Sequence, residues 1–291
     1  MKIIDVHTHG ISGFSTVTSS AEDILHIAQF HGARGISGIL PVVYPSSIES
    51  MRRHMQSIKK AMDIQRSDSI KGELSASSAH IAGIYLEGPF LNPSRCGALD
   101  RQAFLRPDEG HLKRLIEGFE DCIRIITVAP EMEGAVPLIK KISDMGIIAS
   151  MGHSEATYAE AESGFHAGAR GITHLFNAMR GIHHREPGIA GFGLMQRDIY
   201  IEVITDPFHL DPKIIELIFS VKNPERILII SDTVKESCTD AATHGIKDEA
   251  ARLLGGSMTI KDSSERLVRE GLEKDAVYRA ISENPARYLN V

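Results

Sequence analysis

Residues 2–9 read Lys-Ile-Ile-Asp-Val-His-Thr-His, a short β-branched run that closes on two histidines one residue apart. An apolar run of this length, bounded by polar residues, predicts a buried strand, and the amphipathic spacing of Ala21–His31 after it predicts a helix. The unit then repeats. With Lys2–Val6, strand-like runs at Ile36–Val43, Ile81–Leu86, Ile123–Val128, Ile147–Ser150, Gly171–Thr173, Tyr200–Ile204 and Arg226–Ile230 make eight. Helix-like stretches at Ser47–Arg66, Ala135–Met145, Glu155–Ala167 and Pro212–Ser220 lie between them. Several open on Ser or Asp and close on Gly, as helix caps do. Eight alternating units in 291 residues favour one closed (β/α)8 barrel spanning 1–291 over an open doubly wound sheet. No Gly-x-Gly-x-x-Gly follows the first strand, so dinucleotide binding is not indicated. Ser67–Ser78 is polar and Ser-rich and is expected to be a surface loop; Val234–Asp262 is expected to be irregular.

The bulk composition is that of an ordinary globular protein, 42% hydrophobic and 24% charged. A formal charge of −6 argues against a phosphate-backbone binder, so no nucleic-acid partner is expected. Cys96, Cys122 and Cys238 are distant and odd in number, which supports neither a disulfide framework nor a zinc finger and points to a reducing cytoplasm. The charged, histidine-bearing first nine residues leave no room for a signal peptide's apolar core, and no run is long enough to span a membrane.

In such a barrel catalytic groups gather at the carboxyl ends of strands. There the chain carries His7 and His9, Glu87-Gly88-Pro89, Gly152-His153-Ser154, His174 and Ser231-Asp232. Strand alternation puts His7 and His9 on one face, where both rings can meet one cation. A mixed imidazole and carboxylate set that keeps a position open for water suits a catalytic Zn²⁺ or Fe²⁺. One histidine among 14 is most often a surface or hydrogen-bonded residue, and an aspartate after a strand is often a turn residue. Five candidate ligands (His7, His9, Glu87, His153 and His174) and an aspartate, all at strand ends, make coincidence a poor explanation. The metal would polarise a carbonyl and activate water, with Asp232 as acid/base, in amide hydrolysis without a protein nucleophile.

The flanking segments carry more. Leu86-Glu87-Gly88-Pro89-Phe90-Leu91-Asn92-Pro93, Ala129-Pro130-Glu131, Gly152-His153-Ser154, His174-Leu175-Phe176-Asn177-Ala178-Met179, Arg185-Glu186-Pro187-Gly188 and Asn284-Pro285-Ala286-Arg287 resemble the N-acetylglucosamine-6-phosphate deacetylases of the amidohydrolase superfamily. The resemblance runs from Asp5 almost to the C-terminus. It implies deacetylation of an amino-sugar phosphate to the free amine and acetate, with Glu87, His153 and His174 as principal metal ligands. His7 and His9 match members that hold a second metal, so one or two ions per subunit are implied, Zn first and Fe, Mn or Co as alternatives. The resemblance assigns Asn177 and Ala178 to substrate binding, His209 to orienting the acetamide, and Arg185 to phosphate across a homodimer interface; taken alone, Arg185 reads as a surface loop cation.

Departures from the family pattern are as informative. Met1 immediately precedes strand one and Val291 follows closely on Asn-Pro-Ala-Arg, so the β-sandwich that members build from both chain ends is expected to be missing. Leu99 stands where members carry a sugar-contacting histidine; Thr205-Asp206-Pro207 and Ser231-Asp232-Thr233 replace the usual Ala-Asp-Gly and Thr-Asp-Ala. Two other readings therefore stay open: hydrolysis of a different N-acylated or cyclic amine, and a sugar-phosphate-binding protein without catalysis.

Overall fold

The structure, a computed structural model, describes residues 2–72 and 77–291. Eight parallel strands run in chain order around a barrel: β1 (Ile4–Thr8), β2 (Gly38–Val43), β3 (Ile84–Phe90), β4 (Ile123–Val128), β5 (Ile148–Met151), β6 (Gly171–Ile172), β7 (Tyr200–Ile204) and β8 (Ile227–Ile230). Each expected strand is present, within a few residues of its expected bounds. The ring closes through polar residues of the first and last strand ends. His9 N–H donates to the Thr233 carbonyl at 2.8 Å, Asp232 N–H to the His7 carbonyl at 2.9 Å, and the Thr8 and Thr233 hydroxyls meet at 2.8 Å. Buried Asp5 adds a bond from the Ser231 N–H at 3.2 Å.

Side chains pointing inward (Val6, Leu40, Val42, Tyr85, Ile125, Leu228) fill the barrel, and Tyr288 and Leu289 join the same apolar cluster. They belong to the last helix, α10 (Glu283–Leu289), held by Asn284, whose side-chain amide donates to the Pro224 and Ile227 carbonyls at 2.8 Å each. The Asn-Pro-Ala-Arg motif therefore fastens a helix beside β8 rather than serving the chemistry.

The outer layer is α1 (Ala21–Ala33), α2 (Ile48–Lys71), α3 (Glu109–Ile116), α4 (Ala135–Asp144), α5 (Tyr158–His166), α6 (Gly188–Met195), α7 (Pro212–Val221), α8 (Ile260–Arg269) and α9 (Lys274–Ile281). Their starts follow capping chemistry: Ser20, Ser47, Asp108, Asp211 and Thr259 each accept a backbone N–H of the first turn, and Thr157 with Glu160 forms a capping box.

The expected loop over Ser67–Ser78 is corrected in part: α2 continues to Lys71 and stops at left-handed Gly72, and Glu73–Ala76 lie outside the described residues. A polar helix end facing solvent gives no apolar period to read, which is why pattern alone ended the helix early. The stretch expected to be irregular contains a short ribbon, Ile246–Lys247 against Leu253–Gly255, and ends where α8 begins. Among the described residues no helix is long and apolar enough to cross a membrane.

Candidate active site

Strand polarity delivers the chemistry to one mouth of the barrel. His7 lies near the carboxyl end of β1 and His9 just follows it, Glu87 lies in β3, His153 follows β5, His174 follows β6 and Asp232 follows β8. His153, His174 and Asp232 each adopt positive φ, 45°, 29° and 49°, as do Phe176 and Ala178. That conformation costs of order 1–3 kcal/mol per non-glycine residue and persists where function over-determines the backbone. Three of the converging residues carrying it is itself a mark of a working site.

The nitrogens and oxygens meet closely. Glu87 Oε1 lies 3.0 Å from both His153 Nε2 and His174 Nε2, which are 3.1 Å apart. Its other oxygen, Oε2, is 3.2 Å from His9 Nε2, which is 3.2 Å from His7 Nε2. Asp232 Oδ1 is 3.3 Å from both of those rings. Glu87 therefore faces two donor sets with its two oxygens, and each set can hold a metal ion. Donors about 2.1 Å from one cation at tetrahedral or octahedral angles stand about 3.0–3.4 Å apart, which is the spacing found here.

The far ring nitrogens explain why a cation is wanted. His153 Nδ1 meets the Arg95 carbonyl at 2.9 Å and His174 Nδ1 the Asn177 carbonyl at 3.2 Å. Carbonyls only accept, so Nδ1 of each ring keeps the proton and Nε2 turns its lone pair toward its neighbour and toward Glu87. Positive charge must fill the gap, as protons or as metal. Burial opposes the charged rings of His9 and His174, but Asp232 and Glu87 in the first case and Glu87 in the second hold each up at about 9. Burial likewise opposes the Glu87 carboxylate, yet His153, His174 and His9 pull it well below its usual range. A divalent ion would displace those protons.

Beside this cluster opens a cleft lined by Tyr44, Leu99, Asn177, Ala178, His209 and Asp232, among others. His209 sits in the cleft with Nδ1 bonded at 3.0 Å to Asp206 Oδ1. Asp206 is buried, which alone would raise it, but His209 and the N–H groups of Phe208 and His209 bring it down to about 2. Nine of the residues expected to act together therefore do converge: His7, His9, Glu87, His153, His174, Asp232, Asn177, Ala178 and His209. Arg185 does not. It lies exposed outside its own chain's cleft, with Nη1 against His184 Nε2 at 3.0 Å.

Sequence reasoning missed Glu202, fully buried inside the barrel, whose Oε2 is 3.0 Å from His7 Nδ1 and whose Oε1 accepts the Tyr85 hydroxyl at 3.1 Å. A lone carboxylate in the apolar run Tyr200–Ile204 was the available signal. Missed too were Asp206 as the holder of His209, and Tyr44, whose ring stacks on His9 at 3.8 Å. Glu131 of Ala-Pro-Glu accepts from Asn92 Nδ2 at 2.8 Å, the Ser154 hydroxyl at 2.7 Å and the Glu155 N–H at 2.6 Å, tying three site loops together. Glu186 takes the Tyr158 and Gly188 N–H groups at 2.8 and 3.0 Å, anchoring the starts of α5 and α6.

No family model matches the chain. Among characterised proteins, it is 31% identical over 281 residues to the N-acetylgalactosamine-6-phosphate deacetylase of Escherichia coli O157:H7, spanning 96% of this chain and 71% of that one. It is 32% identical over 260 residues to the N-acetylglucosamine-6-phosphate deacetylase of Bacillus subtilis strain 168, spanning 89% of this chain and 62% of that one. The chain belongs to the N-acetylglucosamine-6-phosphate deacetylase family. Solved structures agree. The Pasteurella multocida N-acetylglucosamine-6-phosphate deacetylase superposes with a TM-score of 0.87 at 26% identity, over 100% of this chain and 76% of that one. A Mycobacterium smegmatis deacetylase mutant in complex with N-acetyl-D-glucosamine-6-phosphate gives 0.86 at 28% identity, over 100% and 77%. The His/Glu cluster at the barrel mouth of this deacetylase-family chain is able to bind metal.

Proposed function

We propose that the chain hydrolyses the acetamide of N-acetylglucosamine 6-phosphate, releasing glucosamine 6-phosphate and acetate. The observation that carries this reading is the set of buried imidazoles whose Nδ1 bonds aim their Nε2 lone pairs at one shared carboxylate beside an open cleft. Glu87, His153 and His174 would hold one divalent cation, and His7, His9 and Glu87 a second. Zn²⁺ suits nitrogen and oxygen donors at these spacings, and Fe²⁺, Mn²⁺ or Co²⁺ can replace it. Such a cation supplies Lewis acidity that polarises the amide carbonyl and acidifies water.

The chain's own groups do the rest. Asp232 accepts the proton of the attacking water and returns it to the leaving nitrogen as the C–N bond breaks. His209, with Nδ1 held by Asp206, presents Nε2 to the acetamide. Asn177 and Ala178 line the sugar side, and Arg185 reaches the phosphate across the interface of a homodimer, in a cytoplasmic setting.

A second reading, hydrolysis of another N-acylated amine, rests on Leu99, which puts an apolar side chain into the cleft wall. The metal-loaded protein should release acetate from N-acetylglucosamine 6-phosphate faster than from its galactosamine epimer, the unphosphorylated sugar or simple N-acyl amines. A better substrate elsewhere in that panel would replace the proposal with the second reading, and no turnover of any member with metal bound would overturn both.

A further inference from the structure

An anionic substrate entering this cleft meets the carboxylates of Glu87 and Asp232, so a fixed cation is needed where the anion rests. Arg185 is outside its own chain's cleft, and among the described residues lining the cleft one lysine or arginine is present, Arg252. Arg252 lies in the turn that joins the two strands of the short ribbon after β8, and its side chain is 50% exposed.

Its orientation is built. Asp248 Oδ1 accepts the Arg252 backbone N–H at 2.9 Å and Oδ2 accepts the Nε–H at 2.7 Å, while Nη2 forms an ion pair with Oδ2 at 2.7 Å. Nη1 donates to the Gly97 carbonyl at 2.9 Å. A guanidinium has five N–H donors in a rigid fork; with Nε and Nη1 each giving one, to Asp248 and Gly97 respectively, both terminal nitrogens keep N–H groups that can be offered to the oxygens of a phosphate. The location agrees. A Cβ built on Gly97 would stand 3.3 Å from the Ala178 Cβ and 3.6 Å from His153 Cε1, so the backbone that docks Arg252 abuts the Asn177–Ala178 loop and the metal-facing histidine.

We propose that Arg252 is an anion-binding residue of its own subunit's cleft, receiving the substrate's phosphate, with Asp248 as its positioning residue. The inference rests on the reading of the substrate as a sugar phosphate. It gives each cleft a phosphate contact that does not depend on the partner subunit.

The test compares metal-loaded wild type with Arg252→Met, Arg252→Lys and Asp248→Asn on N-acetylglucosamine 6-phosphate and on unphosphorylated N-acetylglucosamine, with calorimetric binding of inorganic phosphate as a separate arm. Losing a charge-assisted bidentate contact should lower kcat/KM for the phosphorylated sugar about 10- to 100-fold, mainly through KM. The slow reaction of the unphosphorylated sugar should be unchanged, and phosphate binding should weaken by a similar factor. Arg252→Lys should recover part of the loss, and Asp248→Asn should fall between. An equal loss on both sugars would reduce Arg252 to a clasp on Gly97 and overturn the proposal, as would unchanged phosphate discrimination. If the wild type turned over neither sugar, the proposed function would fall, and phosphate binding insensitive to all three variants would still be required to sink this one.

Discussion

Replacing Glu202 by glutamine isolates one half of the metal cluster. Glu202 has no exposure, and its two oxygens accept from His7 Nδ1 at 3.0 Å and from the Tyr85 hydroxyl at 3.1 Å. Both partners donate, so both oxygens must accept. Glutamine keeps the shape but offers one acceptor. If its oxygen faces His7, its amide group meets the Tyr85 hydroxyl, whose single proton must then turn to Thr127 at 3.1 Å or Thr173 at 2.8 Å and reverse one of those contacts. If its amide faces His7, the ring moves its proton to Nε2 and loses the lone pair aimed at the cation. Either outcome forfeits a hydrogen bond to a charged group, worth about 1.5–3 kcal/mol. Substitutions of this kind weaken metal binding roughly 10- to 100-fold. Calorimetric titration of chelated protein with Zn²⁺, together with elemental analysis, should show loss at the His7–His9 position and an unchanged event at Glu87–His153–His174. Two unaltered events in Glu202→Gln, or both lost together, would refute the reasoning that Glu202 supports only the His7–His9 position of the cluster.

Asp232→Asn should keep its metal content while acetate release falls about 10²- to 10⁴-fold, the usual span for a lost general acid/base, read by steady-state kinetics beside elemental analysis. Burial holds the fully enclosed His31 ring down at about 3, against an ordinary value of 6.5. Its contribution to stability is complete above pH 6.5 and lost as pH falls toward 3, about 1.4 kcal/mol per unit. His31→Gln should therefore flatten the acid side of the Tm profile of chelated protein, and parallel profiles would contradict this. Asn284→Ala removes two bonds, one to the carbonyl of buried Ile227 and one to that of exposed Pro224, and should cost about 1–3 kcal/mol in denaturant unfolding, with metal affinity unchanged in the folded protein.

The barrel was legible because each βα unit states its own periodicity, and because polar residues after apolar runs have few other reasons to recur at strand ends. His7, His9, Glu87, His153, His174 and Asp232 were found that way. Glu202, Asp206 and Arg252 were not, for three physical reasons. Glu202 lies within a strand instead of at its end, and only the closed barrel brings it under His7 from 195 residues away. Asp206 looks like a turn residue until His209 is seen to bond it. Arg252 depends on a ribbon whose pairing with the Gly97 loop has no sequence period at all. The motif residues Glu131, Glu186 and Asn284 carried family identity without revealing that their work is to fasten loops and helices.

Metal held by the strand-end cluster is proposed to drive deacetylation in this cleft. Its most direct measurement is acetate release from N-acetylglucosamine 6-phosphate by chelated protein titrated back with Zn²⁺, with bound metal determined in the same samples. The stripped protein should release none, release should rise in step with metal bound, and it should level off once the cluster is full. Turnover that persists without detectable metal, or silence in protein saturated with it, would contradict metal-driven deacetylation.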